Sequence, residues 1–329
     1  MADKRLLAYY DLRCAPLSFD FAYYLSALNG HAVNKGYNKI TLCVYAPFYR
    51  KTNVVELGYP VGYEDRKVRN VIYALAGLTP LIDDIIFTKS GLLPRAADSF
   101  PVGYDPADPA YASGSPLSLM PCTVVALEAI YQGNGNPRVF RATQLGLEWV
   151  NARFVATRPI VTLSVRHTQH DPYRNCSLEE FYQVYQKLSA NFPQIQIVVI
   201  PDQDDLMRGY AARKFDWLLS PEAALDHELR LALYSKAILN IAWSGGPTWA
   251  MLALSDSSYI FFGIWNETAN VSSKAFFSRK GPHFGRQLQW ALPDTQIIDW
   301  THAPDVTSDY MIDRASQFLS QRLQIRASP

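Results

Sequence analysis

The segment after residue 243 has the composition of an anion-binding turn. It reads Ser244, Gly245, Gly246, Pro247 and Thr248, between an apolar run typical of a buried strand and a segment with helical periodicity. Glycine lets the backbone approach a ligand closely, the N–H groups at a helix N-terminus attract negative charge, and two hydroxyl groups add donors. The same residues can also form a tight strand-to-helix turn that binds nothing. They match neither a Walker motif nor the G-x-G-x-x-G pattern, which disfavours a P-loop or a nicotinamide site.

A polar loop at residues 166–175 carries cationic side chains that could bind the same anion. Its basic residues are Arg166, His167, His170 and Arg174. Two arginines can clamp a diphosphate through paired N–H donors. The loop follows a strand of the predicted parallel sheet, so we expect it to lie beside the Gly-Gly turn. The alternative is a solvated loop in which Asp171 pairs with an arginine, and the spacing of the two histidines is only weak evidence for a metal.

In the first half of the chain, Asp20 stands where the helix after the first strand begins. A carboxylate at this position stabilises a helix N-terminus, which is the simpler interpretation. The alternative is a general base in a cleft between two domains, next to Asp11 and Arg13, where it would take a proton from a substrate hydroxyl group.

Two charged segments of the second half also have both structural and functional interpretations. Residues 202–205, Asp-Gln-Asp-Asp, follow a strand and superficially resemble an Asp-x-Asp metal site, although an acidic loop of this kind is more commonly solvated. The basic loop at residues 278–286 includes His283 and Arg286. This loop could complete an anion pocket, contact an anionic acceptor, or be an ordinary surface loop. We predict no metal site.

The composition excludes several classes of protein. The chain has 329 residues, of which 49% are hydrophobic and 19% charged, so two domains can each bury a core. The net charge of +1, without a basic stripe, excludes a general nucleic-acid binder. Four scattered cysteines argue against a zinc site or a disulfide framework. The start lacks a signal-peptide pattern and no apolar run approaches about 20 residues. We therefore expect a cytoplasmic protein without a transmembrane segment, for which peripheral membrane contact stays open.

Short apolar runs alternate with helical stripes in both halves of the sequence. Strands joined by helices imply crossover connections and mainly parallel sheets. We predict an α/β fold with two Rossmann-like domains facing a central cleft. Residues 91–121, rich in Pro, Gly, Asp and Ser, are expected to form a binding loop or lid. The predicted domains are residues 1–155 and 156–306, followed by a C-terminal helix and tail at residues 307–329.

Three places in this pattern resemble the GT-B glycosyltransferases, especially the heptosyltransferase-like enzymes. Those enzymes have an Asp-Thr-Gly-Pro-x-His-x-Ala signature that contacts the donor phosphates, where this chain has residues 244–250. Ser244 takes the place of the acidic residue, and Trp249 that of the histidine. Residues 166–174 correspond to a polar loop with a basic residue after the first strand of the second domain. Residues 20–28 keep the aspartate and the Leu-x-Ala-Leu spacing of the first helix, with Phe19 in the place of a glycine.

The resemblance implies a glycosyltransferase that moves a sugar from a nucleotide-sugar donor to a saccharide or lipid-linked acceptor in bacterial surface polysaccharide synthesis. It implies an acceptor domain followed by a donor domain, a last helix that returns to the first domain, and Asp20 as a carboxylate base without metal or other cofactor. The implied donor-binding residues are Arg166, His167, Arg174, Ser244, Gly245, Gly246, Pro247 and Thr248. The implied acceptor or secondary residues are Asp11, Arg13, His283 and Arg286. A nucleotide-sugar epimerase or hydrolase on the same fold, or a catalytically degenerate GT-B-like binding protein, are the alternatives.

Overall fold

The computed structural model describes residues 4–12, 15, 17–45, 63–88, 99–100, 124–155, 157–169, 171–269, 271–280 and 282–327. Arg13 and His170 lie outside the described residues, as does most of the segment at 91–121 that was expected to form a loop or lid. The chain divides into two compact units, Met1–Arg141 and Ala142–Pro329. Among the described residues, no helix is long and apolar enough to cross a membrane.

The described part of the first unit is a parallel sheet with helices. Its strands are β1 (Arg5–Asp11), β2 (Lys39–Tyr45), β3 (Ile82–Thr88) and β4 (Ser99–Phe100). They lie in the order β3-β2-β1-β4, and all pairs are parallel. The helices are α1 (Phe21–Asn34), α2 (Tyr63–Lys67), a π-helical segment (Val68–Tyr73), α3 (Ala74–Gly77) and α4 (Val124–Gln132). Apolar runs in the sequence indicate the three longer strands. Strands β1 and β2 are almost continuously buried, whereas β3, which contains Asp83 and Asp84, is mostly exposed.

The second unit repeats this architecture with a larger sheet. Its described strands are β5 (Ile160–Ser164), β6 (Gln196–Ile200), β7 (Leu239–Trp243), β8 (Tyr259–Phe262) and β9 (Gln296–Ile298), in the parallel order β6-β5-β7-β8-β9. The helices are α5 (Gln144–Arg153), α6 (Leu178–Asn191), α7 (Gln203–Arg208), α8 (Pro221–Leu225), α9 (His227–Lys236), α10 (Gly246–Ala253), α11 (Lys274–Lys280) and α12 (Ser308–Ala327). The predicted α/β class with parallel sheets is therefore confirmed in both units.

The sequence Ser-x-x-Glu at residues 177–180 and the aspartate at 226 are typical of helix starts, and both begin helices of the second unit. The Ser177 side chain accepts a hydrogen bond from the Glu180 N–H at 3.1 Å, at the start of α6. Asp226 accepts from the Glu228 and Leu229 N–H groups at 2.8 and 3.3 Å, at the start of α9. Each side chain satisfies backbone donors that have no partner inside the helix, which contributes about 1 kcal/mol to stability.

The division between the units comes earlier than the predicted boundary near residue 155. Helix α5 belongs to the second unit because it packs tightly against α9. At Gly146, a Cβ atom would lie 2.8 Å from the Ala232 Cβ and 3.2 Å from the Glu228 carbonyl oxygen. The Thr143 hydroxyl also donates a hydrogen bond to the Glu228 carboxylate. These contacts place α5 in the second unit, and the domain bounds given from the sequence stay a prediction.

The last helix is part of the second unit. Its stripe of Met311, Ala315, Phe318 and Leu319 is buried in the same apolar core as Phe181 and Leu188 of α6. Each large apolar side chain that is fully buried there contributes about 2 kcal/mol. The apolar face of α12 is thus buried within its own unit. The expected return of this helix to the first domain stays a prediction. The expected central cleft also stays a prediction.

Candidate functional site

The strand order of the second sheet reverses between β5 and β7. In an open parallel sheet, the crevice beyond the carboxyl ends of the strands at such a reversal is where ligands bind. The polar loop at residues 166–175 follows β5, and the Gly-Gly turn at residues 244–248 follows β7. The two segments singled out in the sequence therefore flank the reversal point, and the expectation that they are neighbours is confirmed.

Arg166 and Gly245 bring these two segments into direct contact. A Cβ atom placed on Gly245 would lie 3.6 Å from the Arg166 Cδ. Arg166 is only 7% exposed, and its Nη1 donates to the Asp171 carbonyl oxygen at 3.1 Å and to Asn175 Oδ1 at 2.8 Å. Burial lowers the pKa of Arg166 from its ordinary value, while the carboxylates of Asp202 and Asp171 act in the opposite direction. The result is a buried cation whose orientation is set before any ligand arrives.

The Gly-Gly turn is stabilised by the hydroxyl group of Thr248. Its Oγ1 accepts from the Gly245 N–H at 3.1 Å and lies 2.9 Å from the Gly245 carbonyl oxygen and 3.2 Å from that of Trp243. The Ser244 N–H donates to the Phe262 carbonyl oxygen at 2.9 Å. These groups serve the turn itself. The first turn of α10 still presents the N–H groups of Gly246 and Thr248, which have no carbonyl partner within the helix.

Trp243, directly before the Gly-Gly turn, and Asn266, which the sequence did not single out, hold the polar loop on its other side. Trp243 Nε1 donates to the Arg174 carbonyl oxygen at 2.8 Å, and Asn266 Nδ2 donates to the Tyr173 carbonyl oxygen at 2.7 Å. Trp243 ends β7 and Asn266 follows β8, so three consecutive loops at one sheet edge are linked. Gly263 makes room for the indole, because a Cβ at this position would lie 2.2 Å from Trp243 Cε2.

Arg174 pairs with Asp171, as expected in the alternative interpretation of this loop. Its Nη1 lies 3.8 Å from Asp171 Oδ2, and both side chains are about four-fifths buried, at 19% and 22% exposed. Asp171 has a φ of 54°, in the left-handed region where a short polar side chain is better tolerated than a branched one. Both arginines of the loop are therefore held by Asp171, one through its carbonyl oxygen and the other through its carboxylate.

The side chains of the acidic segment at residues 202–205 are bonded to α7 and to the polar loop. Asp202 caps α7 by accepting from the Asp204 N–H at 2.8 Å, and Asp204 accepts from the Thr168 hydroxyl. Asp205 is 5% exposed and lies 2.8 Å from His167 Nδ1. Among the described residues, no group of three or more His, Cys, Asp or Glu side chains could hold a metal ion. These carboxylates instead fix α7 and the polar loop to each other.

In the first unit, the strand order reverses between β1 and β4, so the residues that follow β1 lie at the corresponding point of that sheet. Asp11, the last residue of β1, is fully buried. Asp20 is exposed and begins α1 without capping it through its side chain, whose Oδ2 accepts from the Ser18 hydroxyl at 2.8 Å. Asp20 therefore does not cap α1 through a hydrogen bond, and only its negative charge stabilises the start of the helix. Arg13 lies outside the described residues.

In the basic segment at 278–286, residues 278–280 belong to α11, and residues 283–286 are exposed and contact residues that follow β8 and β9. His283 and Arg286 are both exposed, and the Arg286 carbonyl oxygen accepts from Trp300 Nε1 at 2.9 Å. Between them, Phe284 packs on Trp265 and Trp300 with ring centroids 5.1 Å away in each case. The loop is therefore anchored by aromatic contacts, and its part in ligand binding stays a prediction.

Comparisons with known proteins identify the fold. No protein-family model matches the chain, and no curated protein matches it either. Among solved structures, a glycosyl transferase family 9 protein from Veillonella parvula DSM 2008 is similar, with a TM-score of 0.53 and 11% identity over 98% of both chains. The E. coli ADP-heptose lps heptosyltransferase II has a TM-score of 0.47 and 11% identity over 97% of this chain and 99% of its own. The E. coli heptosyltransferase WaaC with ADP has a TM-score of 0.47 and 11% identity over 97% and 98%.

The likeness to the Veillonella protein is one of fold, since only about a tenth of the aligned residues are identical. It extends over nearly the whole of both chains, so it includes both units with their parallel sheets. The resemblance to GT-B glycosyltransferases that was stated from three sequence segments is confirmed at this level.

Proposed function

We propose that this protein is a glycosyltransferase that uses a nucleotide sugar as its donor. One observation carries the proposal. The buried side chain of Arg166 lies against Gly245, which directly precedes α10. Both residues are at the point where the strand order of the second sheet reverses. A fixed cation beside a helix N-terminus is complementary to a diphosphate group. The fold is shared with a protein described as a glycosyl transferase.

The donor diphosphate would bind to groups from both sides of the reversal point. Arg166 and Arg174 would supply charge, and the N–H groups of Gly246 and Thr248 would supply backbone donors. Ser244, Gly245 and Pro247 would shape the turn, and His167 would line the same loop. When the sugar leaves, negative charge develops on the departing phosphate oxygen. Preorganised cations and N–H donors stabilise that charge in the transition state. Because these cations and N–H donors would stabilise the leaving group, we propose that the transfer needs no metal ion.

The acceptor hydroxyl group would lose its proton to Asp20. An exposed carboxylate oriented by the Ser18 hydroxyl suits a general base, since its side chain makes no capping bond to its own helix. Asp11, Arg13, His283 and Arg286 are the residues proposed to contact the acceptor or complete the site. The acceptor would be a saccharide or a lipid-linked saccharide, and the pathway that of bacterial surface polysaccharides, with the protein acting in the cytoplasm.

A thermal-shift screen tests the donor assignment. The protein is heated with ADP, GDP, UDP, CDP and dTDP and with their glucose conjugates. A ligand at about a hundred times its Kd stabilises the folded state by about 2.7 kcal/mol, so one base should raise Tm by several degrees. Absence of stabilisation by any of these compounds contradicts the proposal. Product analysis with the stabilising nucleotide sugar alone then distinguishes a transferase from a hydrolase or epimerase, because the transferase needs an acceptor.

A further inference from the structure

His167 and Asp205 form a histidine–carboxylate pair at the edge of the proposed donor site. His167 Nδ1 lies 2.8 Å from Asp205 Oδ1. The Asp205 carboxylate is held in place by the backbone N–H groups of Ala211 and Ala212, at 2.9 and 3.0 Å. A carboxylate fixed in this way accepts a hydrogen bond from the imidazole. In the neutral ring the proton is thus on Nδ1, and Nε2 carries the lone pair.

The free edge of this imidazole faces away from its buried partner. The His167 side chain is 43% exposed, whereas that of Asp205 is 3% exposed. Since the buried carboxylate lies on the Nδ1 side, the exposed part of the ring includes the Nε2 edge. Among the residues that the structure describes, Nε2 has no hydrogen-bond partner. Nε2 is therefore a hydrogen-bond acceptor of fixed orientation that a ligand can reach.

The loop that carries His167 is fastened to α7 at two further points. The Thr168 hydroxyl donates to the Asp204 carboxylate, and the Arg208 guanidinium donates to the Gln169 side chain. Three successive residues of the loop therefore contact three side chains of one helix. This fixes the backbone of His167 as well as its ring, directly after Arg166, whose side chain contacts Gly245 at the strand reversal.

We propose that Asp205 is a positioning residue that holds His167 so that Nε2 accepts a hydrogen bond from a hydroxyl group of the nucleotide sugar. This inference rests on the proposed function and adds a group that recognises a sugar hydroxyl, from the ribose or from the transferred sugar. Arg166 already supplies the cation for the phosphates, whereas a neutral acceptor nitrogen suits a hydroxyl donor. The charged groups that surround His167 in its loop and in α7 are Arg166, Asp171, Arg174, Asp202, Asp204, Asp205 and Arg208.

The pH dependence of binding tests the acceptor role. Calorimetric titrations use ADP-, GDP-, UDP- and CDP-glucose, whose diphosphate diesters have no phosphate group that titrates near neutral pH. Protonation removes the Nε2 lone pair. Affinity of the wild type should therefore be several-fold lower at about pH 5.5 than at about pH 8. In His167→Gln, whose amide oxygen accepts but does not titrate, the affinity should stay level across the same range.

Three outcomes of these titrations are informative. An affinity of the wild type that rises or stays level at low pH overturns the inference, and so does an equal pH dependence in His167→Gln. Binding of none of the four compounds at either pH contradicts the proposed function and the inference together. His167→Ala identifies the hydroxyl group. We expect a loss of about fivefold. If the loss appears with the nucleoside diphosphate as well, the ribose is the partner; if it appears only with the sugar conjugate, the transferred sugar is.

The positioning role of Asp205 has a readout that needs no ligand. The ¹⁵N spectrum of protein labelled on its six histidines is assigned for His167 by comparison with His167→Gln. The wild type should show the Nδ1–H tautomer, and Asp205→Asn should shift it toward a mixture and lower nucleotide-sugar affinity about as much as His167→Ala. Asp204→Asn is the matched control: its amide oxygen still accepts from Thr168, and the tautomer should not change. A wild-type Nε2–H tautomer, or an Asp205→Asn spectrum identical to wild type, overturns this role.

Discussion

The side chain of Arg166 runs along Gly245, with its Cδ 3.6 Å from the position that a Cβ would occupy there. The two residues come from loops 79 positions apart in the chain (245 − 166), and parallel pairing of β5 with β7 brings them together. A cation from one loop thus meets the helix start of the other. The binding of a donor diphosphate and the stability of the loop depend on this contact and on the groups that support it.

Arg166→Lys should weaken nucleoside diphosphate binding more than it weakens the fold. Lysine keeps the charge but cannot reproduce the planar fork that reaches Asp171, Asn175 and a phosphate together. Because a hydrogen bond to a charged group contributes about 1.5–3 kcal/mol, affinity should fall by about tenfold or more. Calorimetry with the nucleotide found in the thermal-shift screen measures this. Lys187→Gln, an exposed cation of α6, serves as control; equal losses in the two variants would show a non-specific charge effect.

Gly263→Ala should destabilise the protein strongly. Gly263 has a φ of 66°, and an alanine Cβ would lie 2.2 Å from Trp243 Cε2. The indole would have to move, and its hydrogen bond to the Arg174 carbonyl oxygen would be lost with it. We expect a loss of about 3 kcal/mol or more in the free energy of unfolding, measured by urea denaturation.

The control for this variant is Gly36→Ala. Gly36 has a φ of 71°, but nothing lies within 4 Å of its Cβ position. This variant therefore reports only the strain of a left-handed alanine, about 1–2 kcal/mol. If Gly263→Ala lost no more stability than Gly36→Ala, the packing of Trp243 against residue 263 would not support the loop as described.

Asp20→Asn should abolish transfer while leaving donor binding intact. A general base contributes at least about a hundredfold to the rate, and the amide cannot accept the proton. Because the Asp20 side chain is exposed and does not cap α1, Tm should change little. Turnover is measured with the donor and acceptor found by product analysis. Asp84→Asn, another exposed carboxylate of the first unit, should retain full activity, and retention of activity in Asp20→Asn would remove Asp20 from the mechanism.

His227 should make the protein sensitive to acid. Burial, and then the charge of Arg230, lower the pKa of His227 to about 3. The folded state therefore keeps the ring neutral while the unfolded chain binds a proton below its ordinary pKa of about 6.5. Stability is unaffected above that pH and is lost as the pH falls toward the folded value. This group alone should remove about 2.5 kcal/mol between about pH 6 and about pH 4.

Urea denaturation at several pH values measures this effect. His227→Leu, of similar volume, should flatten the dependence of unfolding free energy on pH over that interval by about the stated amount. Comparison at about pH 8, where the histidine is neutral in both states, corrects for any packing defect of the variant. An unchanged slope would show that His227 is not the group that titrates.

Local patterns predicted much of the fold. Strands β1 to β3 and β5 to β8, the caps at Ser177 and Asp226, and the neighbourhood of the two loops follow from apolar runs, capping signals and the crossover rule, whereas the short strands β4 and β9 were not predicted. The unit to which α5 belongs could not be predicted, because its helical pattern is the same whichever unit it packs on and only its contact with α9 decides. The reversal of strand order depends on which strands pair with each other, and the hydrophobic pattern of each strand does not specify its neighbours.

The candidate site was predicted in its parts but not in its connections. The contacts of Trp243 with Arg174, of Asn266 with Tyr173 and of His167 with Asp205 span 69, 93 and 38 positions. Such long-range pairs leave no local signal in a single sequence. Gly263, directly after β8, is a sign of such a contact in the sequence, because the Trp243 ring occupies the place of its missing Cβ atom.

A crystal structure of the protein with the nucleoside diphosphate selected by the thermal-shift screen tests the central claim most directly. We predict diphosphate density between the Arg166 guanidinium and the N–H groups at the start of α10, within hydrogen-bond distance of about 2.7–3.2 Å from both. Density for the diphosphate at another place in the chain, or contacts to the loop after β5 without any to the turn after β7, would contradict the account.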